Sequence, residues 1–173
     1  YISKLIAKGY KVAICEQLED PKTAKGIVKR GVIRVVTPGT VIESNMLEEK
    51  KNNYIMSIVK KGIYYGIAVC DVTTGDFYST EIKENNNFPL VLDEIARYSP
   101  AELVVNSMMY DSKEEISKIK ERFEIYFTRF NDKFFSEDIN TIVENYNLVD
   151  NDDNPIKDVD KRLFSVASIN ALV

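Results

Sequence analysis

Asp71 and Asp76 are the residues of this chain whose type and spacing come nearest to catalytic equipment. They bracket the segment Val72-Thr73-Thr74-Gly75. Asp71 ends a long apolar run and Asp76 opens the next strand-like run. Carboxylates in such places can hold two divalent metal ions for phosphodiester hydrolysis, provided that three or four of them converge. Glu94, Glu102 and Asp111 are the further acids that the chain could bring there. The competing reading is that Asp71 and Asp76 are turn residues. Asp and Thr satisfy backbone amides with their own side chains in tight turns. No pattern in the sequence makes the other acids converge, so the turn reading is preferred. A second acidic group, Asp150-Asn151-Asp152-Asp153, lacks the Gly and Glu positions of a calcium loop and reads as solvated surface.

The second candidate is basic. Lys22, Lys25, Lys29 and Arg30 surround Gly26 within nine residues. Four cations beside a glycine suit contact with phosphates. The stretch has no Gly-x-x-x-x-Gly-Lys pattern, so it is not a nucleotide-binding loop. The charge of the chain follows the same division. Residues 1–40 carry eight basic and three acidic residues, a net of +5, against −4 for the whole chain. The remainder therefore carries −9. A basic segment joined to an acidic one implies two different neighbours.

Composition removes most other chemistry. With no histidine in the chain, His-based triads, His general bases and His-ligated metals are excluded within it. Cys15 and Cys70 each sit in an apolar run and are expected to be buried free thiols. No apolar stretch approaches the roughly 20 residues of a membrane-spanning helix, and no secretory signal pattern is present. The opening residues, Tyr1 to Ile6, read as the middle of a helix, as if the chain were cut from something longer. Aromatic residues on strand-like runs (Tyr64, Tyr65, Phe77, Tyr78, Tyr126, Phe127, Phe130) lack interleaved cations and are expected to pack in the core.

The elements that must position these residues follow from periodicity and punctuation. A helix over 1–8 ends at Gly9. Strands are expected over 11–15 and 32–36, separated by a loop. Thr37-Pro38-Gly39-Thr40 breaks the chain where the charge also changes, which places a domain boundary near residue 40. A short helix capped by Asn45 and Glu48 is expected next. Strands over 54–60, 63–71 and 76–82 are joined by hairpin-length breaks at Lys61-Gly62 and Thr73-Thr74-Gly75. The middle strand is almost wholly apolar and should be covered on both faces. Helix 88–98, strand 102–105, helix 112–123 (with Ser112 and Glu115 as a capping box) and strand 125–130 follow. A helix over 136–146, an acidic loop over 148–160 and a helix from Lys161 complete the reading. The order β-β-β-α-β-α-β over 54–130 describes an α/β fold: a five-stranded mixed sheet flanked by helices, as in ribonuclease H-like domains.

Specific strings carry a resemblance. Val12-Ala13-Ile14-Cys15-Glu16-Gln17, Asp20-Pro21 and Arg34-Val35-Val36-Thr37-Pro38-Gly39-Thr40 resemble the end of the mismatch-recognition domain of the MutS family. Asn53, Asp71-Val72-Thr73-Thr74-Gly75-Asp76-Phe77 and Ser99-Pro100-Ala101-Glu102-Leu103 resemble that family's connector domain. The resemblance implies a partial mismatch-recognition domain at 1–40 and a connector at 41–173. It implies a part of a bacterial DNA mismatch-repair protein, cytoplasmic and nucleoid-associated, that links the DNA-reading domain to lever and ATPase parts and docks MutL. It further implies that the full-length protein is a homodimer that binds mismatched duplex DNA and uses ATP and Mg, with no cofactor and no catalysis in this piece. Arg30, with Lys22, Lys25 and Lys29 near it, would approach the DNA backbone. The alternative is a metal-dependent ribonuclease H-like nuclease using Asp71 and Asp76. Residues 1–40 are expected to be mobile, to pack on the connector, or to pair with another chain, because their strands lack partners.

Overall fold

The computed structural model describes residues 1–24, 26–41, 52–83 and 88–135. The expected helices at 45–48, 136–146 and 161–173, and the acidic loop at 148–160, lie outside the described residues, as does Lys25.

The first part is a helix and a hairpin. Helix α1 (Ile2–Ile6) places Ile2 and Ile6 on one side, and Gly9 takes a positive φ of 80° just beyond it. Strands β1 (Val12–Gln17) and β2 (Arg30–Val36) pair antiparallel. Both are longer than expected, because Glu16 and Gln17 pair with Gly31 and Arg30. The register shifts between Ile14 and Cys15: Ile14 faces Arg34 while Cys15 faces Val32, so Ile33 is an extra residue on β2. A small cluster of Ile6, Val36 and Val41, with Ile2, Val12 and Ile14 against it, holds helix and hairpin together.

Five further strands form one sheet: β3 (Tyr54–Lys61), β4 (Tyr64–Asp71), β5 (Phe77–Lys83), β6 (Glu102–Val105) and β7 (Tyr126–Arg129). Their order across the sheet is β5-β4-β3-β6-β7. The meander β3-β4-β5 is antiparallel, and β6 and β7 add parallel to β3. The Gly62 turn has a positive φ of 63°, as a two-residue connection between β3 and β4 requires. The mixed five-stranded sheet expected from element order is present, with strand ends moved by one residue or so.

Helices α2 (Pro89–Tyr98) and α4 (Lys113–Arg122) pack on the same face of this sheet. Val91, Leu92 and Ile95 of α2 and Ile119 of α4 meet Met56, Ile58, Ile67, Val69, Leu103 and Val105. On the opposite face Val59 and Val104 pack with Phe135, Ile55 and Phe130. Strand β4 is accordingly buried along most of its length. Pro100 follows Ser99, which closes α2 in a left-handed conformation.

Two local expectations are corrected. A short helix, α3 (Ser107–Tyr110), follows β6 and is capped by the Asn106 side chain, which accepts from Met109 N–H. Ser112 does stand at the N-cap of α4, but without a capping hydrogen bond. Its hydroxyl donates to the Met108 carbonyl and accepts from Lys60 Nζ, and Glu115 is held by Lys60 and Tyr65 instead. A half-buried cation from a neighbouring strand outcompetes the local box.

Ile67 lies mid-β4 with 1 % exposure inside the main cluster. Ile67→Ala is expected to cost about 2–5 kcal/mol, read by urea unfolding of the chain. A loss below about 1 kcal/mol would show that this cluster is not the core.

Candidate nucleic-acid interface

The basic residues sit on the open end of the β1–β2 hairpin. Two acids shape that loop with their side chains. Asp20 accepts the Lys22 N–H at 2.9 Å through its carboxylate, while its carbonyl accepts from Thr23 and Ala24. Glu19 accepts the Lys29 N–H at 2.7 Å. Leu18 N–H donates to the Lys29 carbonyl and extends the ladder past Gln17. Gly31 stands opposite, where a Cβ would lie 2.8 Å from Cδ1 of the exposed Leu18 side chain. Gly26, with φ of 111°, turns in open space.

The consequence is electrostatic. Both nearby carboxylates are engaged by backbone amides, and Lys22, Lys29 and Arg30 are exposed. Among the described residues none of these three side chains forms an ion pair. They share one loop end, with Arg30 opening β2 beside Gln17. Such an arrangement can meet an anionic backbone without first breaking an internal pair.

The acids that suggested metal chemistry do not converge among the described residues. Asp71 is 1 % exposed, and its Oδ1 accepts from Thr73 N–H and Thr73 Oγ1 at 2.9 and 2.6 Å. Asp76 accepts from Thr74 Oγ1 at 2.7 Å. Both are turn residues around Gly75, whose φ is 83°. Glu94 faces Arg97, and Asp111 faces Arg129. Glu102 is tied to Gly39 and Thr128. Among the described residues, no three His, Cys, Asp or Glu side chains gather as a metal would require. The nuclease alternative has no geometric support.

Both cysteines are free, but only Cys70 is partly sheltered; Cys15 is exposed. The expectation that both are buried fails for Cys15 and holds only in part for Cys70; among the described residues no second layer covers Cys15 on the two-stranded hairpin. The same openness exposes Leu18, Ile27, Val32, Ile33 and Val35. Of the aromatic residues expected in the core, Tyr78 is 47 % exposed, although its ring lies against Tyr98. No helix among the described residues is long and apolar enough to cross a membrane.

The arrangement defines a class: a mixed α/β scaffold whose acids shape turns and backbone, joined to a hairpin that displays uncompensated cations. Comparison with known proteins gives the family. Residues 1–45 match MutS domain I and residues 53–172 match MutS domain II. The chain is 57 % identical over 138 residues to the DNA mismatch repair protein MutS of Acetivibrio thermocellus, covering 80 % of this chain and 16 % of that protein. It is 55 % identical over 135 residues to the MutS of Ruminiclostridium cellulolyticum, covering 78 % and 16 %. It is 46 % identical over 132 residues to that of Methanosarcina acetivorans, covering 70 % and 15 %. This chain belongs to the MutS family. It spans about a sixth of the length of these relatives.

Burial, and then the Asp71 and Asp76 carboxylates, push the Cys70 thiol above its ordinary value. At pH 8 the Cys70 thiolate is therefore scarce, and iodoacetamide is expected to label Cys15 several-fold faster, read by peptide mass spectrometry. Equal rates at the two sites would contradict the sheltered placement of Cys70.

Proposed function

We propose that this chain is the part of a mismatch-repair protein that joins the DNA-reading module to the rest of the molecule. In this reading residues 1–40 end the mismatch-recognition domain and 41–173 form a connector that docks MutL. The connector is ribonuclease H-like and carries no catalysis of its own. The strand order β5-β4-β3-β6-β7, with a meander followed by two parallel additions, supports that fold reading. The observation that carries the function is the attachment of the basic hairpin to the sheet through residues 37–41. Gly39 N–H bonds Glu102, and Asn53 Nδ2 lies 3.1–3.4 Å from the carbonyls of Pro38, Gly39 and Val41. A DNA-facing hairpin fixed to an acidic domain suits mechanical linkage. The net −9 beyond residue 40 favours a protein partner there over DNA. The relatives are named for DNA mismatch repair; in the reading proposed here the whole protein binds mismatched duplex as an ATP-using homodimer in the cytoplasm, at the nucleoid.

Lys22, Lys25, Lys29 and Arg30 are the proposed DNA-proximal residues. Binding of the chain to matched duplex is expected to be weak and steeply salt-dependent. Replacing Lys22, Lys29 and Arg30 by Ala should flatten the slope of log K against log salt by about 0.9 for each phosphate that these cations neutralise. An unchanged slope would remove these residues from the interface.

Docking is tested by titrating the isotope-labelled chain with the amino-terminal domain of MutL and following backbone amide shifts. Shifts confined to one face of residues 54–173 are expected. Shifts confined to the hairpin, or none at saturating partner, would overturn the docking assignment.

A further inference from the structure

Glu102 is an unusual carboxylate to find at 2 % exposure on a strand inside the sheet. It opens β6, which lies between β3 and β7. Burying a charge is costly unless hydrogen bonds and a counter-charge offset it. Here these come from three places. Thr128 Oγ1 on β7 donates to Oε1. Gly39 N–H donates to Oε2 at 3.1 Å. Lys11 Nζ, at the base of the hairpin, stands 4.0 Å from Oε1. Two of the three belong to the hairpin module and its linker.

The linker is gripped by both polarities of its backbone. Glu102 takes the amide of Gly39, while the Asn53 amide faces the carbonyls on either side. The approach is too close for any side chain at residue 39. A Cβ there would lie 2.8 Å from Glu102 Cβ and 3.2 Å from Ile55 Cβ. A further contact lies at β7, where Gly9 fits against the Tyr126 ring; a Cβ at Gly9 would overlap Cε1 at 1.5 Å. The contacts fall at the starts of β3, β6 and β7, three separate points along one end of the sheet. Contacts at three strand ends together restrain the orientation of one body on the other. The hairpin module and the sheet each keep a hydrophobic cluster of their own.

We propose that Glu102 is the positioning residue that sets the orientation of the hairpin module on the sheet, gripping the linker at Gly39 with Lys11 as its counter-charge. The proposal deepens the linkage reading and rests on it for its biological meaning, but the tie lies within this chain. Removing the carboxylate releases the module while both clusters persist. A residue that merely stabilised the sheet would, when removed, loosen the sheet itself.

Residual dipolar couplings and amide exchange on the whole labelled chain separate these cases without DNA or MutL, so the result stands apart from the docking titration. In the unaltered chain one alignment tensor should fit the amides of β1 and β2 together with those of β3 to β7. In Glu102→Ala two tensors are expected, and Gly39 amide exchange should rise by about tenfold or more, as expected for loss of a hydrogen bond to a charged group. Protection in β3 and β4 should be unchanged. Gly39→Ala attacks the same tie from the linker side, leaves every sheet residue in place, and is expected to give the same two tensors. It serves if Glu102→Ala does not fold. A single tensor in Gly39→Ala, or loss of β3 and β4 protection in step with the hairpin in a folded Glu102→Ala, would overturn the proposal.

Discussion

Strand β3 is the constraint on which the remaining architecture depends. It pairs antiparallel with β4 on one side and parallel with β6 on the other. Both the local meander and the long crossover therefore register against one backbone. Met56 and Ile58 face the helices, while Ser57 and Val59 face the other way. Each end of the strand is pinned. Asn53, just before it, meets the linker, and Val72 N–H donates to the Asn53 carbonyl. At the other end Asn106 bonds both the N–H and the carbonyl of Lys60, whose ammonium reaches Glu115. Because hydrogen bonds in a ladder are obligatory for buried backbone, a shift of β3 would dislodge both sub-sheets and both pinned ends together.

Much of this was legible from local pattern. Runs such as Ile63 to Val69 and breaks such as Lys61-Gly62 have one sensible reading, and the order of elements limited the sheet to few arrangements. What escaped shares a physical cause. Cys15 looked buried because its neighbours are apolar, but burial depends on what is layered above a strand. Ser112 and Glu115 looked like a capping box, but Lys60, 52 and 55 residues away, claimed both side chains. Helix α3 rests on an Asn cap in a segment too short for periodicity to register. By type alone Glu102 reads as an acid that could take part in metal chemistry. Its partner is the backbone of residue 39, and no spacing rule encodes a bond to a main-chain amide 63 residues away.

Among the described residues, eight acids fall into two uses. Asp20, Glu19, Asp71 and Glu102 hold backbone amides, and Glu94, Glu114, Glu115 and Asp111 face cations nearby. In both uses a negative charge serves local structure before it contributes to a surface field. Among the described residues, Lys22, Lys29 and Arg30 at the hairpin loop have no such duty. A modest imbalance in composition thus becomes a sharper one in space, which net charge alone would understate.

The distance in sequence between Gly39 and Glu102 also has a temporal meaning. During synthesis the hairpin and its linker emerge before the anchoring strand, which follows 63 residues later. At about 5–20 residues per second the delay is roughly 3 to 13 seconds. Hairpins close in about 1–10 microseconds. Through most of that interval β1 and β2 can have formed while the Glu102 end of the Gly39 tie is still missing. The order of translation therefore leaves the tie between linker and sheet to be made only when β6 has arrived.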